Sequence, residues 1–187
     1  MTANRPKVAR STALEVAKEL CALLKPVTGR LVVAGSLRRG KMVVGDIEIL
    51  FIPKLEDRKL DMFVSEGFNL TEEKIAAMVK YGTIAKRLNK LGNVSAWGPE
   101  NKLAVHCASG ISVDLFSTTP DKWWVSLVIR TGSKETNLAL TTGAQRLGRH
   151  LHANGAGVSE NGHMMICRSE EDVFALCGVP YLAPKDR

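Results

Sequence analysis

GSLRRGKMVVGDIEIL, residues 35–50, joins a small-residue turn carrying Arg38 and Arg39 to the start of a strand with two carboxylates, Asp46 and Glu48. Side chains of an extended strand alternate faces, so Asp46 and Glu48 share one side while Ile47 and Ile49 point into a core. Two carboxylates on one face suit a hard cation, and magnesium is satisfied by one or two protein acids together with waters and substrate phosphates. Upstream, the apolar run Leu31 to Ala34 enters the Gly35-Ser36 turn, whose backbone N–H groups and Ser36 hydroxyl can face phosphate oxygens. Arg38 and Arg39 offer charge-assisted donors to the same oxygens. The turn is not a P-loop, because the sequence has no GxxxxGK[ST].

A third acid is expected, and Asp114 in ISVDLF supplies it, 66 residues after Glu48 in a stretch that alternates like a half-buried strand. The preceding run LAVHC reaches it through Ala108-Ser109-Gly110, a glycine-containing connection that reads as a hairpin. Asp114 then sits on a strand able to pair beside the first, and three acids converge on one sheet face. Such a set can hold two cations bridging the attacking and leaving oxygens of a phosphoryl displacement, with one carboxylate placed to take the proton of an attacking hydroxyl.

GSLRRG, the first acid ten residues after Ser36, Asp114, and then TPDKWWVSLVIRTGS resemble, in this order, the family X DNA polymerases, the polymerase beta-like nucleotidyltransferases. The likeness continues through the spacing of 17 residues from Asp114 to Thr131, through Asn137, and into the ending SEEDVFALCGVPYLAPKDR, covering roughly residues 8 to 187. By matching position, the resemblance implies that Gly35, Ser36 and Arg39 hold the β- and γ-phosphates. It implies that Asp46, Glu48 and Asp114 ligate two Mg²⁺ ions, with Mn²⁺ able to substitute, and that Asp114 sits nearest the primer 3′-hydroxyl. Thr131, Gly132 and Ser133 look like the turn beneath the incoming sugar, which in the family includes a cis peptide, and Asn137 like the residue touching the minor-groove edge of the base. Without the resemblance, Thr-Gly-Ser reads as an ordinary helix-capping turn.

The implied fold is α+β: a nucleotidyltransferase palm over residues 1–117, with a mixed sheet and helices on one side, and a small α/β C-terminal subdomain over residues 118–187 for nucleotide and template. The implied activity is metal-dependent addition of dNMP to a DNA 3′-hydroxyl with release of pyrophosphate, on short gaps. Two other readings stand beside it: template-independent transfer to DNA, RNA or protein, and a non-catalytic DNA-end-binding module. Three retained acids argue against the last, since negative charge clustered at a docking face repels a polyanion.

Several positions depart from the family pattern. Glu48 stands where an aspartate is usual, which bears on metal preference. Ile129-Arg130 replaces two aromatics before the Thr-Gly-Ser turn, and weak sugar discrimination is expected. Thr141 replaces an arginine that helps check the templating pair, and Ser112 replaces the arginine beside the third carboxylate, so fidelity is expected to be low. About 30 residues precede Gly35, which leaves no room for the family's N-terminal lyase domain, and no lyase activity is expected.

The chain has 187 residues, 45% of them hydrophobic, enough for one domain or two small subdomains with a packed core. Its net charge of +7 and pI near 9.4 favour a polyanion. Lys54, Arg58, Lys59, Lys80, Lys86, Arg87 and Lys90 cluster mid-chain, with Arg146 and Arg149 later. The expected partners are gapped or primer-template DNA and a dNTP or NTP, and the protein is expected to be a monomer. Cys21, Cys107, Cys167 and Cys177 lack CxxC spacing and lie in apolar stretches, so they read as buried free thiols. His150, His152, His163 and Cys167 match no zinc spacing. No run approaches the roughly 18 to 20 apolar residues of a membrane span, and no signal-peptide pattern opens the chain, so a cytoplasmic or nucleoid-associated location is expected.

The coarse pattern predicts a helix over 11–25 capped by Ser11 or Thr12, a helix from Thr71 to about Leu91, a hairpin over 103–116, and a helix with Thr119 as N-cap and Pro120 at its first position. Trp123 and Trp124 on that helix read as core beside Leu127 and Val128. Ser133 starts another helix ending near Gly148, Asn161-Gly162 marks a hairpin turn, and a Ser169-x-x-Asp172 cap opens a last short helix that stops at Gly178.

Overall fold

The computed structural model describes residues 7–61 and 64–187. Along the chain β1 (Val8–Ala9) leads into α1 (Arg10–Leu24), β2 (Thr28–Val33), the single helical turn α2 (Gly35–Arg38), β3 (Val43–Val44) and β4 (Ile47–Pro53). The hairpin β5 (Leu55–Asp61) and β6 (Val64–Asn69) follows, then α3 (Leu70–Lys80), β7 (Ile84–Lys86), β8 (Asn101–His106) and β9 (Ser112–Ser117). The C-terminal part holds α4 (Trp123–Thr131), α5 (Lys134–Arg146), β10 (Arg149–Leu151), β11 (Val158–Glu160), β12 (His163–Met165) and α6 (Glu170–Leu176). The architecture is α+β with a mixed main sheet. Of the basic cluster, the side chains of Arg58 and Lys59 lie outside the described residues.

The main sheet has the order β2-β4-β9-β8-β7. Only its central pair, β4 with β9, is parallel; the outer pairs are antiparallel. One face is apolar by strict alternation. Ile47, Ile49 and Phe51 on β4, Val113 and Leu115 on β9, and Ala104 and Ile84 beside them pack against α1 and α3. The matching helical stripe is Ala13, Val16, Ala17, Leu20 and Leu24, recurring at three and four residues as a core-facing helix requires. Burial of each large side chain contributes about 1.5–3 kcal/mol.

Helices on one side describes α1 and α3 but not the whole sheet. Leu50 and Phe116 on the opposite face pack against Trp123 and Leu127 of α4, because the polar face of β4 and β9 turns apolar one step beyond Glu48 and Asp114. Trp123 is buried, and the Arg30 guanidinium lies 4.3 Å from its ring centroid and 4.6 Å from that of Trp124. The core reading of the two tryptophans therefore holds, with a cation stacked on them from β2. A further core of Val125, Val128, Leu140, Leu151, Val158 and Phe174 joins α4, α5 and α6 to the sheet β10-β11-β12. Glu160 pairs with His163 across Asn161-Gly162, whose φ angles of 50° and 81° are those of a two-residue type I′ turn.

Three boundaries differ from expectation. Neither Ser11 nor Thr12 caps α1; Ala9 is the N-cap with no side-chain bond, and the Arg10 N–H donates instead to the Met42 carbonyl at 2.9 Å as β1 pairs with β3. The helix expected to reach Leu91 stops at Lys80, because Gly82 at φ 73° lets its N–H bond to Val79 and the Thr83 N–H bond to Met78, a Schellman closure. That frees Ile84 to Lys86 to form the sheet edge. Thr119 and Pro120 precede a single turn, with the Lys122 N–H donating to the Thr119 carbonyl at 3.2 Å, and α4 begins only at Trp123.

Candidate functional site

Register places the acids. Glu48 of β4 and Asp114 of β9 are paired neighbours in the parallel ladder, and their side chains share the face opposite the α1/α3 core. Asp46 is the residue just before β4, two positions from Glu48. The Gly35 turn crosses directly over Glu48. The Ala34 N–H donates to the Glu48 carbonyl at 2.8 Å, and a Cβ built at Gly35 would stand 1.8 Å from Glu48 Oε2. Gly35 has φ 61°, so the position requires glycine both for its backbone and for the space Glu48 occupies.

α2 presents two unsatisfied polar atoms beside these acids. Ser36 Oγ and Arg39 Nε are buried with no hydrogen-bond partner in the protein. Buried polar groups are paired in more than about nine cases in ten, so two orphans on one turn mark a place for a polar ligand. The two arginines divide their roles, which corrects the expectation that both serve phosphates. Arg38 is spent on the protein: Nη1 and Nη2 donate to Glu170 Oε1 and Oε2, each at 2.8 Å, and Nη1 also donates to Thr131 Oγ1 at 2.7 Å. Arg39 Nη1 donates to the Thr131 carbonyl.

Glu170 is clasped a second time by Arg187, whose Nη1 donates to Oε1 at 3.0 Å. Burial alone would raise the Glu170 carboxyl, but the hydrogen bonds and charges of Arg38 and Arg187 outweigh it and hold the group below its usual value. The Gly35 turn is thereby tied to both the Thr131 turn and α6. The pattern of the sequence pointed to neither Glu170 nor Arg187 as partners of α2.

Thr131 and Gly132 are buried under Arg38 and Arg39, with a Cβ at Gly132 falling 3.1 Å from Arg39 Nη1. The Gly132-Ser133 peptide is cis. Ser133 caps α5 through a bond from the Thr136 N–H. Asn137 donates from Nδ2 to the Ile129 carbonyl at 2.9 Å, tying α5 back to α4, and its Oδ1 is buried without a partner. Gly35, Ser36, Arg39, Thr131 and Gly132 are thus brought together, with Ser133 adjoining, while Asn137 is engaged one turn behind.

Two further arginines frame the acids. Arg130 lies over the Phe116 ring, 3.7 Å from its centroid, and Nη2 reaches Asn101 Oδ1 at 3.4 Å. Burial lowers its pKa while the charges of Glu48, Asp114 and Glu100 pull it back, and a guanidinium stays protonated under that balance. Arg87 Nη1 donates to Asp114 Oδ1 at 2.7 Å. The sequence marked Arg87 only as one of a basic cluster; its signal lay in the alternation of Ile84 inward and Ala85 and Arg87 outward at the sheet edge.

Glu48 and Asp114 stand side by side as oxygen donors of the kind a hard cation takes, and the neighbouring turn carries an orphaned hydroxyl and an orphaned guanidinium N–H. Among the described residues no group of three or more His, Cys, Asp or Glu side chains is placed to hold a metal ion. Among the described residues, no helix is long and apolar enough to cross a membrane.

Residues 126–187 match the family model for the DNA polymerase beta thumb. No curated protein matches the chain. The matched stretch runs from within α4 to the C-terminus, so it takes in the Thr131 turn, α5 and Glu170, and it supports a polymerase beta-like relationship.

Proposed function

We propose that the chain is a DNA-binding nucleotidyltransferase of polymerase beta type, which adds a nucleotide to a DNA 3′-hydroxyl and releases pyrophosphate. The single observation that carries this reading is Glu48, register partner of Asp114, lying directly under a glycine turn that carries two buried, unpartnered polar atoms, Ser36 Oγ and Arg39 Nε. The thumb match over the C-terminal part supports the same reading.

Ser36 Oγ, the backbone N–H groups of α2 and Arg39 donate to the β- and γ-phosphates of the nucleotide. Asp46, Glu48 and Asp114 would hold two Mg²⁺ ions, or Mn²⁺ in their place, which supply charge neutralisation at the triphosphate and activation of the hydroxyl. Asp114 accepts the 3′-hydroxyl proton, and the hydroxyl oxygen forms its bond to the α-phosphorus as the bond to the pyrophosphate oxygen breaks. Thr131, Gly132 and Ser133 carry the sugar, and Asn137 reads the base once its side chain leaves the Ile129 carbonyl. Residues 1–117 act as the palm and 118–187 as the nucleotide- and template-binding subdomain. With Arg130 folded onto Phe116, no aromatic ring stands before the Thr131 turn, and ribonucleotides are accepted within about tenfold to a hundredfold of deoxynucleotides.

Extension of a labelled primer across a one-nucleotide gap, with each deoxy- and ribonucleotide in Mg²⁺ or Mn²⁺, tests the reading. Template-directed extension lost in Asp114→Ala is the expected result. Extension without a template assigns a terminal-transferase activity, and no extension of any acceptor overturns the proposal.

A further inference from the structure

Arg87 reaches Asp114 by register. Its N–H donates to the Leu103 carbonyl at 2.9 Å and its carbonyl accepts from the Ser95 N–H at 2.7 Å, so the backbone is held on both sides. Leu103 pairs with Asp114, and Asp114 with Glu48. Arg87, Leu103, Asp114 and Glu48 therefore form one row across β7 to β4, all on the same face. The Arg87 guanidinium spans Leu103 to bond Asp114 Oδ1 at 2.7 Å, with the two side chains only 14% and 8% exposed. A charge-assisted bond this well buried fixes the rotation of a carboxylate far better than a surface pair does. Ser112, two residues before Asp114 on the same face, is too short to do so.

We propose that Arg87 is a positioning residue for Asp114. Bonding Oδ1 from the β7 side, it holds the carboxylate plane in one orientation relative to Glu48 and Asp46 while the nucleotide and primer bind. The proposal deepens the nucleotidyl-transfer reading and rests on it. A guanidinium beside a metal-binding acid has two opposed effects: it orients the acid, which favours turnover, and its charge opposes cation binding. Removing it therefore separates a positioning role from a merely structural one.

The test is Arg87→Gln, with Arg87→Lys and the double variant Arg87→Gln/Ser112→Arg beside it. Turnover on gapped DNA is read as kcat and nucleotide KM, and binding of Mn²⁺ alone by titration calorimetry on the same proteins. Arg87→Gln is expected to lower kcat about 10- to 100-fold, as loss of a partner that orients a metal ligand does, with KM little changed. Mn²⁺ binding is expected to be unchanged or tighter. Arg87→Lys should recover part of kcat, and an arginine returned at position 112 should recover more. A fall in kcat of less than threefold, or weaker Mn²⁺ binding in Arg87→Gln, overturns the proposal. If the parent protein extends no acceptor, the nucleotidyl-transfer reading fails, and the direction of the Mn²⁺ change still decides the effect of Arg87 on the acid.

Discussion

The Glu48 carboxylate occupies the space in which a side chain at Gly35 would begin, 1.8 Å from the position of that Cβ. The turn that would receive phosphate and the strand that carries the acids are in this way packed to a single tolerance. No side chain at 35 avoids displacing Glu48, and the positive φ adds about 1 kcal/mol of backbone strain to any substitution.

Gly35→Ala is expected to lose at least a hundredfold in nucleotide transfer and about 1–3 kcal/mol of stability. Denaturant unfolding and the gap-extension assay check both at once. Activity within twofold of the parent would mean that Glu48 is free to move without consequence.

Arg39 has one nitrogen on the Thr131 carbonyl and a buried Nε awaiting a partner. Arg39→Ala should raise the nucleotide KM about 10- to 100-fold, the range for a lost hydrogen bond to a charged group. Arg39→Lys should recover little of it, since a point charge lacks the planar fork that satisfies Thr131 and a phosphate together. Equal KM values for the lysine variant and the parent would remove Arg39 from the phosphate site.

Glu170 links α6 to Arg38 and Arg187. Its folded pKa is depressed below the ordinary 4.5, so its contribution to stability is fully present above pH 4.5 and disappears as pH falls through the folded value. Glu170→Gln is expected to cost about 3 kcal/mol at pH 7, because two arginines lose their buried partner. The gap between parent and variant should narrow in unfolding experiments below pH 4.5. A gap that stays constant down to pH 3 would show that the carboxylate charge does not stabilise the junction.

Of the four thiols expected to be buried only Cys177 is; Cys21 and Cys167 are half-buried, and Cys107 is exposed because it lies in the turn between β8 and β9. Burial pushes Cys167 and Cys177 each up to about 11, and it also raises Cys21. A maleimide at pH 7.5 should therefore label one thiol quickly under native conditions, with that phase absent in Cys107→Ser. Rapid labelling of any site in the variant would contradict the shielding of Cys21, Cys167 and Cys177.

Much of the core of the site was legible because it is local. Alternation alone placed Ile47 and Ile49 inward with Glu48 outward, and Asn161-Gly162, Ser133 and Ser169 announced a turn and two caps through their own backbone chemistry. The end of α3 was equally local, written in Tyr81-Gly82, and the longer helix expected there ignored a glycine that the αL conformation needs.

The sequence by itself determined which residue types lie on which face of each strand and helix, and hence that Glu48 and Asp114 leave the apolar core face. Only the tertiary structure decided the partners of its arginines. Arg87 finds Asp114 across 27 residues, and Arg38 finds Glu170 across 132. The physical reason is that periodicity reports the direction of a side chain relative to its own backbone, while the partner of a charge depends on strand order and register, which are settled by packing of the whole sheet and α4.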